Sequence, residues 1–121
     1  MAEKIFYDMI GGSYEEALSR LMNDAFIKRF VLKFKDDESF SLLKAALQKG
    51  DIDEAFGHSH TLKGVALNLS FKKLSEKAIV LTDLLRIQNR ESLTNDKLTA
   101  ALNDVEREYD TVIKAMDVLS Q

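Results

Sequence analysis

His60-Thr61-Leu62-Lys63-Gly64-Val65-Ala66-Leu67-Asn68-Leu69 reads as part of an amphipathic helix with an uncommon outer face. At about 100° per residue, Leu62, Ala66 and Leu69, with Ala55 before them, form one apolar stripe, and His60 lies on the opposite side. A stripe of that kind faces a helical core, so the stretch predicts an all-α fold with His60 turned to solvent. Lys63 falls about 60° to one side of the imidazole and Gly64 about 40° to the other.

Working toward the N-terminus, Asp51 and Glu54 supply the capping logic that starts this helix, and Gly50 suits the left-handed turn that ends the one before. That preceding helix carries Phe40, Leu43 and Leu47 and is predicted to be capped by Ser39. Phe26, Ile27, Phe30, Val31 and Phe34 recur at helical steps from Asp24 onward. Further back, Ile5, Phe6, Met9 and Ile10 give a short helix broken at Gly11-Gly12, and Ser13 with Glu16 opens a second one ending near Met22.

Toward the C-terminus, the motif helix is predicted to run to about Ser70. Leu74, Ala78, Leu81 and Leu85 mark another helix reaching roughly Asn89, and residues 90–95 read as a loop. Leu98, Ala101, Leu102, Val105, Tyr109, Val112, Met116 and Leu119 then keep a near-heptad spacing, which fits either a coiled coil or one wall of an antiparallel bundle. The short connections favour the bundle. The expectation is one domain over residues 1–121: a helical lead-in at 1–23, then an antiparallel four-helix bundle at 24–121.

Composition agrees. With no proline and five glycines in 121 residues, the chain lacks the punctuation that strands and turns need, and 45% hydrophobic content suits a single core. The net charge of -3 comes from scattered charges without a basic run, so nucleic acid is not an expected partner. No cysteine is present, which removes thiolate chemistry and disulfides. No apolar run is long enough for a bilayer and no signal-peptide pattern opens the chain, so a cytoplasmic protein without membrane attachment is expected.

A solvated imidazole has a reference pKa of about 6.5, which leaves a ring nitrogen with a free lone pair near neutrality. Such a nitrogen can attack phosphorus, and a lysine one turn away can steady the charge of the phosphorylated product. Glycine inside a helix costs about 1 kcal/mol relative to alanine, so Gly64 invites a reason beyond folding: it leaves room for another protein to approach the ring. Phe56, Gly57, Leu67 and Phe71 fall on the same face by helical count and offer a candidate docking surface. His58 diverges from His60 by about 200°, so the two rings cannot share a metal, and no metal site is expected.

The run His60 to Leu69, with Phe34, Leu43, Ala46, Leu47 and Gly50-Asp51 before it and Phe71, Leu74 and the Leu81 to Arg86 helix after it, resembles the histidine phosphotransfer domains of two-component phosphorelays. The resemblance implies a bundle whose His60 takes a phosphoryl group from an aspartyl phosphate or a sensor histidine kinase and yields it to the aspartate of a response-regulator receiver domain. It implies that Lys63 steadies the phosphohistidine and Gly64 admits the receiver. Ser70 stands where the family more often has glycine, and Leu67 where many members carry a smaller residue. The protein is then a free-standing, monomeric phosphocarrier rather than an autonomous enzyme. It binds no cofactor itself, and Mg2+ is expected on the receiver. The alternative is a helical-bundle interaction or dimerisation module that carries no phosphate.

Overall fold

The computed structural model describes residues 2–120. Among them are seven α-helices and no strand: α1 Ala2–Ile10, α2 Tyr14–Leu21, α3 Asp24–Lys33, α4 Ser39–Lys49, α5 Ile52–Asn68, α6 Lys72–Leu84 and α7 Asn95–Ala115. Short 3₁₀ turns follow α3 at Phe34–Asp36, α6 at Ile87–Ser92 and α7 at Met116–Leu119. None of these helices is long and apolar enough to cross a membrane.

Helices α4 to α7 make the expected antiparallel bundle. α5 packs between α4 and α6, and α6 packs on α7. The far side is tied by the Phe40 and Tyr109 rings, 4.5 Å apart, and by Lys44 Nζ, 2.9 Å from Glu106. α1 lies along α7 and the last 3₁₀ turn, while α3 packs with α1, α2 and that same turn, so α3 belongs with the N-terminal helices rather than with the four of the bundle. The apolar strip of α7 is spent inside the molecule: Ala101, Val105, Val112 and Ala115 are buried, which leaves the near-heptad spacing no seam for a coiled coil.

Local chemistry explains most boundaries. The hydroxyl of Ser13 and the side chains of Asn23, Asp51 and Thr94 each accept from the amide three residues on, at 3.1, 2.9, 3.0 and 3.2 Å, satisfying donors that a helix start leaves free. Gly50 closes α4 with a φ of 76°, in the left-handed region open to glycine. Ser39 departs from its expected role as a cap, because Asp37 Oδ1 accepts from the Ser39 amide at 2.9 Å and makes Ser39 the first helical residue.

Two further boundaries differ from the periodicity. α6 stops at Leu84, not Asn89, and the 3₁₀ turn Ile87–Ser92 takes the first half of the expected loop at 90–95, leaving Leu93 and Thr94 irregular before α7. Polar side chains fold that segment back onto the end of α6: Asn89 Nδ2 donates to the Asp83 carbonyl at 2.6 Å and Arg90 Nε to that of Leu85 at 3.0 Å. At the end of α5, Ser70 adopts a φ of 59°, a conformation glycine takes without strain. Serine takes it here, and the helix ends at Asn68 rather than near Ser70.

The core joins the two halves through an aromatic cluster. Phe6 meets Tyr7 at 5.1 Å and Phe71 at 5.7 Å, and Phe34 meets Phe71 at 5.3 Å. Phe71 is therefore 1% exposed and is withdrawn from the docking surface. The helical count that placed it beside His60 fails because α5 has already ended: Phe71 is the cap residue of α6, and its backbone turns the ring inward. Tyr7 donates to the Leu69 carbonyl at 2.7 Å, and burial pushes its phenol pKa up, so it remains a donor.

Candidate functional site

α5 carries the site. Its inner face buries Ala55, Ser59, Leu62 and Ala66, and burial of Leu62 alone contributes about 1.5–3 kcal/mol. Ser59 is the polar exception: its hydroxyl lies 2.7 Å from Thr82 Oγ1 on α6, and Thr82 donates onward to the Ala78 carbonyl at 2.7 Å. These bonds satisfy both hydroxyls in the core and fix the register of α5 on α6.

With that face turned inward, His60 is exposed and Lys63 and Gly64 flank it half-buried, as the helical count requires. Among the described residues no ion pair engages His60 or Lys63, which leaves the imidazole and the ammonium free for a ligand. Phe56 is half-buried, its ring 6.1 Å from the imidazole and inclined at 51°. Gly57 is exposed and Leu67 is 40% exposed, so both stay on the accessible face.

The two helical glycines have no packing reason. A Cβ built at Gly57 or at Gly64 would meet nothing within 4 Å, so neither exists to let another helix come close. His58 leans away from the site, its Nε2 3.5 Å from Glu54 Oε1. Lys49 at the end of α4 donates to the same glutamate at 3.1 Å, and Lys49 first and His58 second hold the Glu54 carboxyl below its ordinary value. No group of three metal-ligating side chains gathers among the described residues.

Several supporting residues were invisible to sequence reasoning because they arrive from other helices. The Arg86 guanidinium sits over the Phe56 ring, 5.6 Å from its centre, and its Nε donates to Asp83 at 3.0 Å. Arg90 reaches Asp53, in the first turn of α5, at 2.6 Å. At the other end of α5, Arg20 of α2 donates to the Leu67 carbonyl, placing a cation at the negative end of the helix.

A half-buried lysine and a bare backbone position thus stand beside an unpaired, exposed imidazole. A family model described as Hpt domain matches residues 36–116, which spans the whole four-helix bundle and the His60 helix within it. The chain belongs to the Hpt family. Comparison with curated proteins and with solved structures found no match. Hpt domains are phosphocarriers that serve phosphorelays and interact with receiver domains and kinases. The matched region leaves α1 to α3 outside, although these helices supply Phe6, Tyr7, Ile27 and Val31 to the common core.

Proposed function

We propose that this Hpt protein carries a phosphoryl group on His60, taking it from a receiver-domain aspartyl phosphate or a sensor histidine kinase and passing it to a receiver aspartate. The observation that carries the reading is the unpaired, solvent-facing imidazole at the centre of α5, with a free ammonium on one side and uncovered glycine on the other. In the transfer step a ring nitrogen donates its lone pair to phosphorus. The N–P bond forms as the P–O bond to the aspartate breaks, and the electron pair leaves with the carboxylate. The outer nitrogen, Nε2, is the one a partner reaches more easily.

Lys63 balances the negative charge that the phosphorylated ring acquires, and Gly64 admits the reacting end of the partner. Mg2+ belongs to the receiver, where it would neutralise the phosphoryl oxygens during transfer. On this reading the protein is a monomeric phosphocarrier in the cytoplasm. Incubation with a phosphorylated receiver from its own source tests the reading: the wild type takes up label, His60→Gln takes up none, and Lys63→Ala takes it up about tenfold more slowly. Labelling of His60→Gln at the wild-type rate overturns it.

A further inference from the structure

His60 has four neighbours on its own helix, and they divide by side. Phe56 and Lys63 lie about 40° and 60° to one side of it, Gly57 and Gly64 about 60° and 40° to the other. Helical side chains lean toward the N-terminus, so the imidazole covers the Phe56-Gly57 turn, while residues 63 and 64 lean over the imidazole. Both large side chains therefore stand on one flank of the ring and both bare positions on the other.

The flanks face different helices. Continuing round from Phe56 leads to Ser59, bonded to Thr82 of α6, and Phe56 itself lies under Arg86 at the end of α6. Continuing round from Gly57 leads to Glu54, paired with Lys49 at the end of α4. The α6 flank is a wall of stacked groups: Asp83 holds Arg86, Arg86 covers Phe56, and Phe56 stands against the imidazole. The separations of 5.6 and 6.1 Å lie within the attractive range for a cation over a ring and for paired rings. The α4 flank is open, with nothing within 4 Å of either glycine's missing Cβ.

We infer that a receiver reaches His60 from the α4 side, along the trough left by Gly57 and Gly64, and that Phe56, braced by Arg86, is a positioning residue that holds the imidazole from the α6 side. The inference rests on His60 being the phosphoacceptor. An exposed histidine otherwise samples several staggered rotamers, whereas in-line attack on phosphorus needs one. A wall on one flank removes the rotamers that lean toward it, and two successive bare positions leave the other flank to the partner. The role takes Phe56 out of the docking surface and makes it part of the device that aims the ring.

Single-turnover transfer from the phosphorylated receiver that labels the wild type fastest, measured across receiver concentration, tests both parts. Phe56→Ala lowers the limiting rate by roughly tenfold and leaves the half-saturating concentration unchanged, Arg86→Gln does the same more weakly, and Phe56→Tyr, which keeps the ring, restores the rate. Gly57→Leu raises the half-saturating concentration severalfold. Ile79→Trp leaves it unchanged: Ile79 is an exposed residue of α6, level with Leu62 in the register set by Ser59 and Thr82 and so within one turn of His60 along the helix. Failure of the wild type to accept label at His60 overturns the acceptor reading itself. With the wild type labelled, equal weakening by Ile79→Trp and Gly57→Leu overturns the one-sided approach. A Phe56→Ala protein with an unchanged limiting rate and a raised half-saturating concentration overturns the positioning role.

Discussion

Gly11 and Gly12 in the turn between α1 and α2 contrast with Gly57 and Gly64 on α5. Gly11 has a φ of 66°, and a Cβ on Gly12 would stand 2.7 Å from the Ser70 carbonyl oxygen and 2.9 Å from the Tyr7 ring. The fold demands those two glycines. At Gly57 and Gly64 it demands nothing, since the backbone is helical and the space is empty, and each costs about 1 kcal/mol of helix stability relative to alanine. Glycines that the chain's own packing does not explain point outward, to something that must come close.

The contrast can be broken by measurement. The largest effect belongs to Leu62, fully buried on the inner face of α5: Leu62→Ala should lower unfolding stability by about 2–5 kcal/mol in denaturant titration, showing that α5 as such is not tolerant. Gly12→Ala should cost about 1–3 kcal/mol by the same measurement, because the methyl group meets backbone that cannot step aside. Gly64→Ala should do the reverse, raising stability by about 1 kcal/mol while slowing phosphoryl transfer from a receiver. A Gly64→Ala protein that is less stable would put that glycine in the same class as Gly12.

The smallest effect concerns pH at the edge of the open flank. Lys49 first and His58 second hold the Glu54 carboxyl below its ordinary value in the folded protein. A depressed carboxyl contributes stability that is present above its unfolded pKa and is lost as pH falls through the folded one. Glu54→Gln should therefore be slightly less stable than the wild type near neutrality, with the difference closing as pH drops through the carboxylate range. The group is solvated, so added salt should shrink the difference further.

The sequence made the helices and the outer face of α5 legible because both depend on local rules. Asp51 and Ser13 cap where their spacing to Glu54 and Glu16 says they should, and Gly50 ends α4. Helical periodicity likewise put His60, Lys63 and Gly64 together and Leu62 and Ala66 behind them. It failed at Phe71, where the count was carried past the end of its helix, and at residues 87–92, where Asn89 and Arg90 reach the carbonyls of Asp83 and Leu85 at the end of α6, contacts that no period encodes. It was silent on Arg86 over Phe56 and on Ser59 with Thr82, because those pairs form only when α5 and α6 lie side by side. The family match inherits the same boundary: it covers residues 36–116, while Phe6 and Tyr7 of α1 complete the core around Phe71.

Mapping the phosphorylated residue after incubation with a phosphorylated receiver addresses the central claim most directly. Mass spectrometry under conditions that preserve the N–P bond should place the phosphoryl group on His60 alone. A phosphoryl group on His58, on a hydroxyl side chain, or nowhere in the chain would contradict the account.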